Sequence, residues 1–319
     1  MSTTAQPRPG TPSLGRTMLN KVPEITIFFW IIKILCTTVG ETFSDYLSDT
    51  VGLGLSKTTY IMGTALIIVL IAQFLTKRYV AGVYWLAVVL ISVVGTNITD
   101  NMVDNWGIQL TTSTTVFAVC LALSFAAWFI SERTLSIHSI FTTRREAFYW
   151  VVILFTFALG TAVGDLVAEK FSLGYFPSIL LWGGLIGVIT AAHYGLKGRY
   201  AHDHKRLTSN AVLAFWLAYI LTRPLGASIG DWMSSPNNAD GGWALNLGTT
   251  VTSIIFLTLI LVTVVYLAIT KRDVTPDAVI EAELAETPPF DHPHHGLLPE
   301  HGEAPPLLHP HQHPQPAED

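Results

Sequence analysis

The chain has 319 residues, half of them hydrophobic and only 13% charged, with a mean hydropathy of +0.46 and a formal net charge of −5. Its apolar residues come in long blocks, which excludes an ordinary soluble globular domain and indicates a polytopic, all-α membrane protein. Basic residues are dispersed over short loops, so no nucleic-acid partner is supported. No Walker A run, G-x-S-x-G, H-E-x-x-H or C-x-x-C is present, which argues against direct ATP drive and against an enzyme.

In chain order, residues 1–22 read as a disordered leader without the apolar core of a signal peptide, and no cleaved signal is expected. Residues 23–272 hold eight stretches of the roughly 20 mostly apolar residues needed to cross a bilayer. They fall at about 24–46, 58–76, 80–103, 112–131, 146–168, 175–195, 210–234 and 246–270. Fourteen of the 18 Lys and Arg residues lie on one side of this pattern. Lys57 and Lys170 lie on the other, while Lys33 and Arg223 fall inside spans. Short cytoplasmic loops are enriched in cations, so both termini are expected in the cytoplasm and the protein in a bacterial inner membrane. Cys36 and Cys120 sit in apolar spans with no sign of a disulfide framework.

Residues 273–319 lack Lys and Arg, are acidic and Pro-rich, and carry seven of the 11 histidines. This composition predicts a disordered cytoplasmic tail. His292, His294, His295, His309, His311 and His313, with His301, could share a metal ion, or the tail is a solvated segment with no ligand. His202 and His204 repeat the H-x-H theme in an inner loop, and a plain polar loop explains them equally.

A repeat underlies the spans. Trp30, Trp85, Trp150 and Trp216 are each followed ten residues later by Gly40, Gly95, Gly160 and Gly226. Five residues further stand Asp45, Asp100, Asp165 and Asp231. The pattern W-x9-G-x4-D ends in GETFSD, GTNITD, GTAVGD and GASIGD. The four units, about 23–78, 79–140, 144–200 and 208–272, each read as a hairpin that crosses and returns. A two-helix unit restores the starting side, so all copies share one topology. Their pseudo-symmetry axis should run along the membrane normal, unlike the inverted repeats of many transporters. The tryptophans read as interfacial anchors or packing residues, and the glycines as points of close helix approach or helix breaks.

These repeats resemble those of the bacterial membrane proteins of unknown function that contain four tandem copies of a two-helix unit with a characteristic tryptophan. The likeness covers about residues 20–272, and KVPEITIFFWIIKILCTTVGETFSD and LTRPLGASIGD are similar to that family's first and fourth repeats. The resemblance implies the architecture and supplies no function.

Helical residues four apart share a face. The motif aspartates therefore align with Glu41 and Asp49 in copy one, Thr96 and Asp104 in copy two, and Thr161 and Glu169 in copy three. Copy four aligns Ala227 and Ser235. Two readings of the aspartates stay open. Asp45 lies 15 residues beyond Trp30, about 22 Å along a helix, so the motif could mark where the helix leaves the lipid. Alternatively, charge at membrane depth costs at least about 2.5 kcal/mol and usually faces a bundle interior. Four inward copies would then line a central pathway with oxygen ligands. Where copies one and four meet, Lys33 and Arg223 are expected to neutralise Glu41 or Asp231 when no cation is bound and to be displaced or retained during transport. The alternative is a permanent ion pair, or a snorkelling Lys33. Pro224 should kink its helix or open its hydrogen-bond ladder.

The leading expectation is a secondary transporter or exporter of a divalent metal cation, manganese first, bound as substrate by Glu41, Asp45, Asp100, Asp165 and Asp231, with Asp49, Asp104 and Glu169 nearby. No cofactor is expected, and membrane lipid is the surrounding partner. One alternative is a transporter of a small organic solute or anion that uses Lys33 and Arg223. Another is a membrane scaffold that transports nothing.

Overall fold

The computed structural model describes residues 20–199, 204–237 and 243–274. The leader up to residue 19 and the tail from 275 onward, with its seven histidines, lie outside the described residues. So do His202 and the side chain of His204. The chain divides into a unit over residues 1–279 and a second over 280–319, the latter wholly outside them.

The described residues form eight long helices: α1 (Ile27–Asp45), α2 (Leu55–Leu75), α3 (Ala81–Asp100), α4 (Leu110–Glu132), α5 (Thr143–Asp165), α6 (Tyr175–Arg199), α7 (His204–Ser234) and α8 (Gly248–Thr270). No strand occurs among the described residues. Local sequence sets several ends. Thr26 and Thr142 cap α1 and α5 by accepting from the Phe29 and Arg145 backbone amides, and α4 and α8 stop at left-handed Arg133 and Lys271.

Odd and even helices do different jobs. The membrane-length window of α3 is 78% buried inside the protein, whereas that of α6 is only 17% buried. The even helices present isoleucine, leucine and valine outward, among them Ile67, Ile68 and Ile71 on α2 and Ile254, Leu261 and Val262 on α8. Apolar on all sides, these helices form a surface suited to hydrocarbon.

The odd helices form a closed ring in which α1 packs on α3, α3 on α5, α5 on α7, and α7 back on α1. Each even helix lies chiefly against the odd helix of the following copy: α2 on α3, α4 on α5, α6 on α7, and α8 on α1. The hairpin expected from the repeat is therefore a unit of sequence rather than of packing. Copies interlock around the ring.

The motif glycines are the contact points of that ring. A Cβ on Gly40 would meet Ser92, on Gly95 Phe157, on Gly160 Arg223, and on Gly226 Thr37. Each partner stands three residues before the glycine of the next copy, so one contact recurs four times and closes on itself. Gly95 would place its Cβ 2.7 Å from Phe157 Cβ and 3.2 Å from the Ala158 nitrogen, and Gly226 would place its own 2.9 Å from the Thr38 nitrogen. Only a residue without a side chain allows this approach. Hydroxyls join the helices beside these contacts: Thr99 Oγ1 donates to the Ala158 carbonyl (3.0 Å) and Thr37 Oγ1 to the Thr222 carbonyl (3.2 Å).

At the end of the bundle that holds the first and last described residues, ordered contacts reach past both boundaries expected from sequence. Lys21, assigned to the leader, is fully buried and paired with Glu146 at 2.7 Å, while Gln73 donates to the same carboxylate at 3.0 Å. Asp273, assigned to the tail, accepts from the Tyr79 hydroxyl at 2.6 Å, and its carbonyl accepts from the Glu24 amide at 2.9 Å. Burial, and then the Asp273 carboxylate, hold the Tyr79 phenol well above its ordinary range. Trp85, Trp150 and Trp216 are buried and Trp30 half-buried, so the repeat tryptophans pack within the bundle, with Trp216 donating to the Leu135 carbonyl at 2.9 Å.

Candidate functional site

In copies one to three the motif aspartate is the last α-helical residue, and a five-residue π-helical turn follows it: Tyr46–Thr50, Asn101–Asn105 and Leu166–Lys170. The turns share one hydrogen-bond pattern, with Val51, Trp106 and Phe171 donating back five residues at 2.9, 3.0 and 3.0 Å. Two residues past each turn, Gly52, Gly107 and Ser172 are left-handed, with φ of 75°, 66° and 54°. YLSDTVG, NMVDNWG and LVAEKFS thus build the same structure with little sequence in common. Copy four differs, because α7 continues as α-helix past Asp231 to Ser234.

The π turn changes the expected stripe. Four-residue spacing no longer stacks side chains once the helix widens, and Asp49, Asp104 and Glu169 are exposed while Asp45, Asp100, Asp165 and Asp231 are half-buried. All four motif aspartates lie within electrostatic reach of Glu41. Asp45 also feels Asp49 from its own copy and Glu169 from copy three. The acids therefore converge at one end of the ring, with the aspartates inside and Asp49, Asp104 and Glu169 as an exposed rim. Carboxylate oxygens of Glu41, Asp45 and Asp231 come within 4.8 Å of one another. Copies one and four meet there, since α1 and α7 close the ring.

Beneath the aspartates sits one guanidinium. Arg223 is fully buried; its Nη2 donates to Glu41 Oε2 (2.7 Å), to Thr161 Oγ1 (2.7 Å) and to Thr96 Oγ1, and its Nη1 donates to the Thr37 carbonyl (3.3 Å). Glu41, Thr96 and Thr161 each follow the motif glycine of their copy. The corresponding residue of copy four, which supplies the arginine, is apolar Ala227. One side chain from copy four is thus held by the same position of the other three.

Lys33 does not join this network. Its ammonium lies 4.3 Å from the Phe157 ring centre and 4.2 Å from that of Tyr219, with no hydrogen-bond partner, and no ion pair involving it occurs among the described residues. The expected pairing with Glu41 or Asp231 is replaced by cation–π contacts, because Lys33 stands two turns below Glu41 on α1. Toward the Lys21–Glu146 end, Phe29, Tyr84, Tyr149 and Phe215, each preceding a motif tryptophan, form a buried aromatic layer in which the Tyr84 and Tyr149 hydroxyls bond at 2.5 Å. Sequence reasoning missed this layer and the partners Thr37, Ser92 and Phe157. Aligning the four copies on their glycines exposes both.

Together, the lipid-facing outer helices, the ring of repeated inner helices and the acidic end define a multi-pass membrane protein built from four interlocked copies around an axial polar site. The family model described as Repeat of Unknown Function (DUF347) matches residues 28–79, 83–134, 148–199 and 214–273, and the chain belongs to that family. No curated protein and no solved structure matches it.

Proposed function

We propose that this protein is a secondary transporter or exporter of a divalent metal cation, manganese first, and that the acids at the motif end receive the ion. The observation that carries this reading is the convergence of carboxylates from separate copies, with Glu41, Asp45 and Asp231 close enough to share one ion. Carboxylates with neighbouring threonine hydroxyls form an all-oxygen donor set, which suits hard divalent ions such as manganese or magnesium. Acidic rings also draw cations into a pathway. On this reading the motif end faces away from the cytoplasm and the termini lie within it, in agreement with the distribution of Lys and Arg.

The test compares cells lacking the protein with cells complemented by wild type or by a variant carrying Asn at Asp45, Asp100, Asp165 and Asp231. Export of manganese predicts that the deletion strain accumulates that metal alone, and that wild type corrects it while an equally abundant variant does not. Unchanged contents of manganese, zinc, cobalt, nickel and iron would end the metal reading.

One observation favours a different cargo. Lys33 is a buried amine with no acid beside it among the described residues, a group that a small organic anion entering the bundle could pair with. That reading predicts loss of activity in Lys33→Ala with little effect of Asp100→Asn, and the metal reading predicts the opposite order.

A further inference from the structure

Arg223 is held in an unusual way for a structural ion pair. Its acceptors come from α1, α3 and α5, so every other inner helix of the ring contributes to a single guanidinium. Its Cβ and Cγ fill the space over Gly160, so the side chain crosses the ring at the level where the inner helices approach most closely. Glu41 serves two clusters at once: it pairs with Arg223, and it is one of the three carboxylates gathered within 4.8 Å. An ion coordinated by Glu41 and the guanidinium bound to Glu41 Oε2 would therefore share one carboxylate and its single negative charge. Pro224 follows immediately in α7, where it removes a backbone donor and weakens the helix at that turn.

We propose that Glu41, Thr96, Thr161 and the Thr37 carbonyl form a guanidinium-binding cradle, and that Arg223 is its tethered occupant. The arginine seals the axis and leaves when a cation takes Glu41. Glu41, Thr96 and Thr161 converge on Nη2 while the Thr37 carbonyl takes Nη1, so the cradle grips the two-nitrogen end of the guanidinium and leaves Nε unpartnered. The cradle follows from the contacts alone. The exchange rests on the metal reading above.

The first experiment measures thermal unfolding of the purified protein in detergent. Arg223→Ala should lower Tm, and guanidinium chloride at millimolar, non-denaturing concentration should recover much of the loss by mass action. Sodium chloride and tetramethylammonium chloride should not, and adding Glu41→Gln should abolish the recovery. Arg223→Gln takes the same test if the alanine variant does not fold. The second experiment measures manganese flux into vesicles. Arg223→Ala should raise flux about tenfold or more, with guanidinium reversing the rise. The paired Thr96→Val and Thr161→Val substitutions, which keep both charges, should raise flux as well.

A folded Arg223 variant indifferent to guanidinium would overturn the cradle. Manganese flux that depends on the aspartates but ignores both Arg223 and guanidinium would overturn the exchange and spare the metal reading. Guanidinium recovery without manganese flux in any variant would uphold the cradle and count against the metal.

Discussion

The four motif glycines carry the same physical demand, since each is the floor on which a side chain from the next copy rests. Adding one methyl at Gly95 forces Phe157 and the backbone at Ala158 apart, and overpacking of this kind costs about 1–3 kcal/mol. Gly95→Ala and Gly226→Ala should therefore each lower Tm in detergent. Gly63→Ala on α2, with nothing within 4 Å of its Cβ, should leave Tm unchanged or slightly raised. Equal effects at all three positions would remove the packing argument. The Glu41–Arg223 pair makes a second residue-scale demand. Removing one partner of a buried pair strands the other charge, at a cost of about 3–5 kcal/mol. Glu41→Gln should thus destabilise the protein more than the combined Glu41→Gln, Arg223→Met change, because the double variant leaves no uncompensated charge. Thermal unfolding of the three proteins checks this order.

At the scale of elements, α7 departs from its three counterparts. It lacks the π turn after the motif aspartate, it contains Pro224, and it supplies the arginine held by the other three inner helices. Proline inside a helix removes a hydrogen bond and costs about 3 kcal/mol. On the transport reading proposed above, its presence beside the side chain that bridges the other inner helices makes α7 the element expected to move. Pro224→Ala should raise Tm while slowing transport, measured in the same vesicles. A rise in both would assign the proline to packing against Gly160 rather than to motion. The π turns set the register of the other three copies by displacing the rim acids from the aspartates, so that Asp49, Asp104 and Glu169 face solvent.

For the whole molecule, interlocking has a consequence that simple hairpins would not. Cutting the chain between copies two and three leaves α4 without α5, and α8 without α1, so each half carries an outer helix shaped for the other half. Co-expressed segments 1–140 and 141–319 should co-purify and regain the activity of the intact chain. Failure of the halves to associate, with both present in the membrane, would mean that contacts within a half dominate.

Much of this architecture was legible in the chain. Eight apolar stretches, a cation bias and W-x9-G-x4-D determined an eight-helix membrane protein of four like-oriented copies, because burial of apolar length in lipid and self-similarity are both written in linear order. The aspartates and the membrane-embedded Arg223 were recognisable as a candidate site for the same reason, charge being rare in such segments. Only the tertiary structure decided which copies touch. It placed each outer helix on its neighbour's inner helix, gave Arg223 to Glu41 and to threonines of two further copies, and left Lys33 between aromatic rings. Those outcomes depend on contacts between residues far apart in the chain, such as Thr42 and Ser253, 211 positions apart. Spacing along one helix carries no information about what the facing helix presents.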